Sequence, residues 1–161
     1  LGFGSAALTL LLLTPELEAW AVLRPFGALI LSTILLGWIF LAMAYSLSAW
    51  VSEKGKAAGL ALIVWFFFVV VFDLLMLALL IGLPEQFDFN SLPYLLLLNP
   101  ADIFRMFNLG LLNSSDVSTG VATMGGQLDL DPLMLLLFLF LWLASLIGLA
   151  TVLFHRSLMR V

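Results

Sequence analysis

The chain has 161 residues, of which 64% are hydrophobic and 10% charged, with a formal net charge of −4 and no cysteine. So little polar surface cannot cover a water-exposed globule of this size, and the absence of cysteine excludes a disulfide framework and thiolate metal sites. The composition therefore predicts an integral membrane protein.

Three apolar stretches are long enough to cross a bilayer, at residues 26–51, 57–83 and 133–154. A hydrocarbon core of about 30 Å requires about 20 apolar residues in a helix. A fourth stretch, 1–13, is too short and begins without Met or a basic leader, so we expect it to be the end of another helix in a chain that lacks its N-terminal part. We predict an all-α bundle, with 1–161 forming a single transmembrane domain.

The basic residues of the short loops predict the orientation of these spans, because cytoplasmic loops carry an excess of Lys and Arg. Segments 52–56 and 155–161 are basic, whereas 14–25 and 84–132 hold eight acidic residues against Arg24 and Arg105. We therefore expect the first pair of segments in the cytoplasm and the second pair outside. The acidic balance belongs to the outer loops, and we expect no nucleic acid among the partners.

The connector 84–132 is the only segment with room for structure outside the bilayer. Its apolar part, 92–98, is too short to span and is expected to dip into the interface or to re-enter shallowly. Asn99 is a good N-cap and Pro100 suits the first helical position, which predicts a short helix over 99–112. We expect a loop without regular structure over 113–127.

One face of the 99–112 helix is apolar, with Ile103, Phe104 and Phe107, and another carries Asp102 and Arg105. This pattern predicts an interfacial helix on the outer membrane surface, with the apolar face buried and the charges presented to water or to a partner. A pair of opposite charges three residues apart adds only a few tenths of a kcal/mol to a helix. We therefore predict that Asp102 and Arg105 dock an outer subunit, with simple solvation as the alternative.

Asp73 is the one ionisable residue deep in a span. A carboxylate there costs on the order of 2.5 to 3.5 kcal/mol, so it must face protein, water or a partner. We weigh two roles equally: a contact between helices, with Ser32 or Thr33 as the expected partner, and a polar point on a substrate path or at a subunit seam.

The sequence predicts no catalytic residues, no metal site and no cofactor. His155 is the only histidine and no HExxH is present, which excludes a histidine zinc site in these residues. The phosphate-binding pattern GxxxxGK[ST] is also absent, so ATP would have to be bound by another chain.

Four segments resemble those of the ABC-2 type permeases, and they lie at 37–45, 53–62, 71–74 and 95–105, the last including the run Asn99-Pro100-Ala101-Asp102. The similarity covers nearly the whole chain and is weakest over 113–131. Within the family it is strongest to the branch that serves maturation of nitrous oxide reductase.

The resemblance implies a multi-pass permease subunit in the bacterial inner membrane, with both ends cytoplasmic. It further implies a homodimer, an ATPase on a separate chain and a periplasmic partner of the NosD kind. The implied cargo is a sulfur species or another component needed to assemble the copper cluster of the reductase. Two other functions fit the same residues: an ABC-2 exporter of drugs or lipids, and a membrane anchor that transports nothing and holds a periplasmic partner.

Overall fold

A computed structural model describes residues 2–13, 19–51, 53–82, 92–113 and 131–158. The described residues are helical apart from a few turn and bend positions, and no strand occurs among them. The elements are α1 (Gly2–Leu13), α2 (Ala19–Trp50), α3 (Lys54–Phe66), a π-helical turn (Phe67–Val71), α4 (Phe72–Gly82), α5 (Leu92–Leu96), α6 (Pro100–Asn113) and α7 (Pro132–Leu158). The all-α prediction is confirmed. Apart from Asn113, the predicted loop over 113–127 lies outside the described residues.

Within the described ranges, three helical stretches are long and apolar enough to cross a membrane: Leu23–Trp50, Gly55–Gly82 and Pro132–His155. They match the three spans predicted from the sequence. The second is built from α3, the π turn and α4, which follow one another without a break. We call it the middle span.

The core of the bundle is an apolar seam between α2 and α7. Each helix buries residues spaced three or four apart, which places them on one face. The seam consists of Leu35, Ile39, Ala42 and Met43 from α2 and Leu135, Leu139, Leu143 and Leu146 from α7. Ser46 on α2 donates to the carbonyl oxygen of Leu146 at 3.4 Å, so the two helices are in contact from Leu35 and Leu135 to this point.

The connector helix α6 does not lie on the membrane surface. Its Asn108 contacts Ser32 of α2, and a Cβ atom at Gly110 would lie 3.9 Å from Pro132, the first residue of α7. Its other end lies deeper, because the indole nitrogen of Trp142, close to the middle of α7, donates to the carbonyl oxygen of Leu97 at 3.2 Å. The segment therefore enters the bundle to about half its depth and returns along α6.

This finding corrects the expected surface position, and the reason lies in the sequence of the segment. The 14 residues of α6 rise about 21 Å, less than a hydrocarbon core, so the helix can run from the middle of the bundle to its outer end. On its apolar face Ile103 and Phe107 are buried as predicted, in the same apolar cluster as the seam. A re-entrant segment is tolerated at membrane depth because its backbone is enclosed by protein.

Candidate functional site

Asp73 in the middle span forms an ion pair with Arg105 of α6. The Nη1 atom of Arg105 donates to Oδ2 of Asp73 at 2.5 Å, and the side chain of each residue is 41% exposed. Charge-assisted hydrogen bonds of this kind are the stronger ones in proteins. The pair ties the middle span to the re-entrant helix.

Arg105 also binds a second carboxylate, that of Asp102 one turn earlier on α6. Its Nη1 atom lies 2.8 Å from Asp102 Oδ1, so the two side chains pair within α6, whereas the prediction from the sequence was docking of an outer subunit. Asp102 is buried, with 6% of its surface exposed, so the expectation that it faces water is wrong. Both carboxylates meet at one guanidinium because that group presents several donors in a fixed plane.

Asn99 completes the cluster and bonds in three directions. Its Nδ2 atom donates to Asp102 Oδ2 and to the carbonyl oxygen of Phe68, each at 2.8 Å. Its Oδ1 atom accepts the N–H of Ala101 at 3.0 Å, which is the N-cap predicted from the sequence. Every polar atom of this fully buried side chain is satisfied. We refer to Asp73, Asn99, Asp102 and Arg105 as the polar cluster.

The π turn of the middle span is also part of the site. A π turn contains one residue more than the matching α-helical turn, and such turns are frequent where proteins function. Two of its carbonyl oxygens accept bonds from α6: that of Phe68 from Asn99, and that of Val69 from Arg105 Nη2 at 3.2 Å. The ring of Phe68 packs edge-on against Trp142 of α7, with centroids 5.9 Å apart.

The charges of the cluster do not balance, since two carboxylates face one guanidinium. The buried carboxylate of Asp102 is attracted by Arg105 and repelled by the negative charge of Asp73. Two carboxylates that share one cation leave each of them incompletely neutralised. The arrangement therefore depends on Arg105, whose loss would leave like charges facing each other.

The sequence pointed to Asp73 but not to its partner. Ser32 bonds with Asn108, whose Nδ2 atom donates to Ser32 Oγ at 3.1 Å, and Thr33 donates to Leu29 of its own helix. Neither contacts Asp73, so the expected partner was wrong. The better signal was the one basic residue of the connector beyond the middle span, Arg105, because an intramembrane carboxylate favours a cation.

The described residues contain no group of three or more His, Cys, Asp or Glu side chains that could hold a metal ion. His155 is exposed near the end of α7 and takes no part in the polar cluster. The cluster joins two carboxylates and one guanidinium, and through them it connects α6 to the middle span.

Comparison with known proteins finds two related permeases. The chain is 46% identical over 158 residues to the probable ABC transporter permease protein NosY of Stutzerimonas stutzeri, a match that covers 98% of this chain. It is also 46% identical over 156 residues to the protein of the same name from Pseudomonas aeruginosa, covering 97% of this chain. Over nearly its whole length the chain is similar to these two permeases. It spans 57% and 56% of the lengths of these two relatives, and no family model matches it.

The NosY-like segment carries its polar cluster inside the similar region, since the two alignments cover nearly all of its residues. The similarity and the three spans agree in showing a multi-pass membrane protein.

Proposed function

We propose that the chain is part of the membrane subunit of an ABC-2 type transporter of the NosY kind, which moves a solute outward by alternating access. The observation that carries the proposal is the ion pair of Asp73 and Arg105, which joins a spanning helix to a re-entrant helix inside the bundle. Ionisable groups at such depth are expensive and mark functional positions by default. The names of the two relatives supply the class of transporter.

In this proposal the polar cluster closes the outer half of the transport path. Breaking the Asp73–Arg105 pair would free α6 from the middle span, and re-forming it would close the path again. Only half of each side chain is covered, so water or a partner can compete for the pair. ATP binding and hydrolysis on a separate ATPase subunit would supply the free energy for this cycle.

The proposed cargo is a sulfur species or another component for assembly of the copper cluster of nitrous oxide reductase. This cargo is proposed from the similarity to NosY alone, and no contact in the bundle supports it. An exporter of drugs or lipids is the alternative within the class, and a non-transporting anchor is the alternative outside it. A neighbouring ATPase gene would favour transport, and a neighbouring nitrous oxide reductase gene would favour the NosY branch.

We further propose a homodimer in the bacterial inner membrane that binds a periplasmic protein of the NosD kind. The orientation behind this proposal is testable because the chain has no cysteine of its own. A single cysteine at position 116 should react with an impermeant reagent applied to intact cells, and one at position 55 should not. Labelling at 55 together with protection at 116 would overturn the orientation.

Docking of that periplasmic protein by Asp102 and Arg105 remains a proposal. Asp102 is covered, whereas 41% of the Arg105 side chain is exposed, so Arg105 is the one of the two that a partner can reach. Replacing Arg105 by Glu would reverse the charge at this position and place a third anion beside Asp73 and Asp102. Arg105→Lys is the cleaner test: it keeps the cation but loses the planar fork. Undiminished co-purification of the periplasmic protein per permease would count against docking.

The transport proposal is tested by returning variants of the complete gene to a strain that lacks it and measuring maturation of the reductase. Asp73→Leu should abolish maturation because it removes the ion pair between the middle span and α6, leaving Arg105 paired only with Asp102. Asp73→Asn should reduce maturation less because an amide oxygen still accepts a hydrogen bond. Leu74→Ala is the matched control, since Leu74 is the next residue and is 59% exposed. Normal maturation and normal permease amounts in both Asp73 variants would refute the role of the pair.

A further inference from the structure

The π turn Phe67–Val71 interrupts the middle span at the level of the polar cluster. In an α-helix each carbonyl accepts the N–H four residues later, whereas here the N–H of Phe72 bonds to the carbonyl of Phe67, five residues before it. The extra residue in the turn changes the rotational position of everything that follows, including Asp73.

The contacts of the π turn come from α6 and α7. Asn99 and Arg105 of α6 bond to the carbonyl oxygens of Phe68 and Val69, and Trp142 of α7 packs against the Phe68 ring. The same Arg105 side chain holds Asp73, the second residue after the turn. Arg105 therefore binds both the π turn and the carboxylate of Asp73, whose direction depends on that turn.

We propose that the π turn is a conformational switch that Asn99 and Arg105 hold in its π form. When the two side chains release their carbonyls, the turn rewinds to an α-helical turn of the same five residues. Rewinding adds one residue of α-helical rotation, about 100°, and about 1.5 Å of rise to the segment beyond it. Asp73 and all of α4 then turn away from Arg105, and the ion pair cannot form.

The inference rests on the proposed transport function for its biological meaning, but the switch itself is a property of the bundle. Ordinary helix fraying does not account for the contacts, because the donors come from a helix about thirty residues away and are directed at two adjacent carbonyls. Asn99 is a positioning residue in this view, since it acts through the π turn and touches no substrate.

The experiment uses the complete permease in lipid nanodiscs, with nitroxide labels on single cysteines introduced at Leu77 of α4 and Leu109 of α6. Both positions are half exposed, at 53% and 51%, and no native cysteine interferes within these 161 residues; any cysteine elsewhere in the complete chain is replaced by serine. Pulsed electron resonance then reports the distance between α4 and α6. Asn99→Leu should move most of the population to a second distance, because it removes the donor to Phe68.

Two further variants make the result decisive. Deletion of Val70 removes the extra residue, so the span becomes a regular α-helix with Asp73 still facing Arg105, and a single narrow distance at the wild-type position should remain. Asn108→Leu is the matched control: it makes the same change two turns along α6 in a residue that contacts Ser32 and α6 itself. It should leave the distance unchanged.

The switch is refuted if Asn99→Leu gives the wild-type distance, or if Asn108→Leu shifts it as much as Asn99→Leu does. Maturation of the reductase adds a separate outcome. A Val70 deletion that assembles with the wild-type distance but supports no maturation shows that the switch is needed. Full maturation by that deletion refutes a need for switching, whereas failure of the wild-type gene to restore maturation would refute the proposed function and leave the distance result standing.

Discussion

The seam between α2 and α7 and the contact between α6 and the middle span hold the bundle together by different means. The seam is apolar along its length, with Ile39 and Leu139 fully buried. The α6 contact is polar and passes through Arg105 and Asn99. Lipid chains are as apolar as leucine side chains, so moving a side chain from lipid into the seam gives no hydrophobic stabilisation. Close packing between the two helices is what stabilises the seam.

The difference between the apolar seam and the polar α6 contact indicates which of the two can change. Packing of a seam is lost in many small steps, whereas a charge cluster is either paired or unpaired, and the unpaired form is costly unless another partner replaces it. We therefore expect the polar contact, and not the apolar seam, to be the interface that changes in the proposed transport cycle.

The largest effect is expected from Arg105→Leu, which removes the cation from two carboxylates at once. Because truncation of a buried pair leaves uncompensated charge, the free energy of unfolding should fall by about 3 kcal/mol, reduced to the extent that water reaches the half-exposed site. Reversible unfolding in mixed detergent micelles measures it. Arg24→Leu, which removes a cation at an exposed position of α2, should change stability by less than about 0.5 kcal/mol.

A smaller effect is expected at the seam from Leu139→Ala. The cavity left at this fully buried site should lower the free energy of unfolding by about 2 kcal/mol through lost packing. Leu141→Ala, at a position that is 63% exposed on the same helix, serves as the control and should have little effect. Equal losses at the two positions would show that the α2–α7 seam is not the packed interface described above.

The smallest effect should come from Trp142→Phe. The substitution keeps an aromatic ring against Phe68 and removes only the hydrogen bond to the carbonyl of Leu97, so about 1 kcal/mol should be lost. Trp38→Phe, on an exposed face of α2, is the control. A loss no greater than that of the control would place the re-entrant turn at Leu97 away from α7.

The sequence predicted the three spans closely, because a long apolar run has few alternatives in a membrane protein. It also predicted the Asn99 cap, which depends on residues close in the chain. The partner of Asp73 was not predictable in the same way, because it lies 32 positions away on another helix.

The depth of α6 was the other failure, and its cause is physical. An amphipathic helix with an apolar face and a charged face fits the membrane surface and the inside of a bundle equally well until its partners are known. The π turn left no pattern either, since the run of phenylalanine and valine over 66–71 contains no glycine or proline to mark an irregular helix.

The coupling between Asp73 and Arg105 tests the central claim most directly, because the claim is that these two side chains join the middle span to the re-entrant helix. A double-mutant cycle with Asp73→Asn, Arg105→Gln and the combined variant, read as free energy of unfolding in mixed micelles, isolates their interaction from the effect of each change alone. We predict a favourable coupling of at least about 1 kcal/mol. Losses that simply add, with no coupling beyond experimental error, would contradict the account.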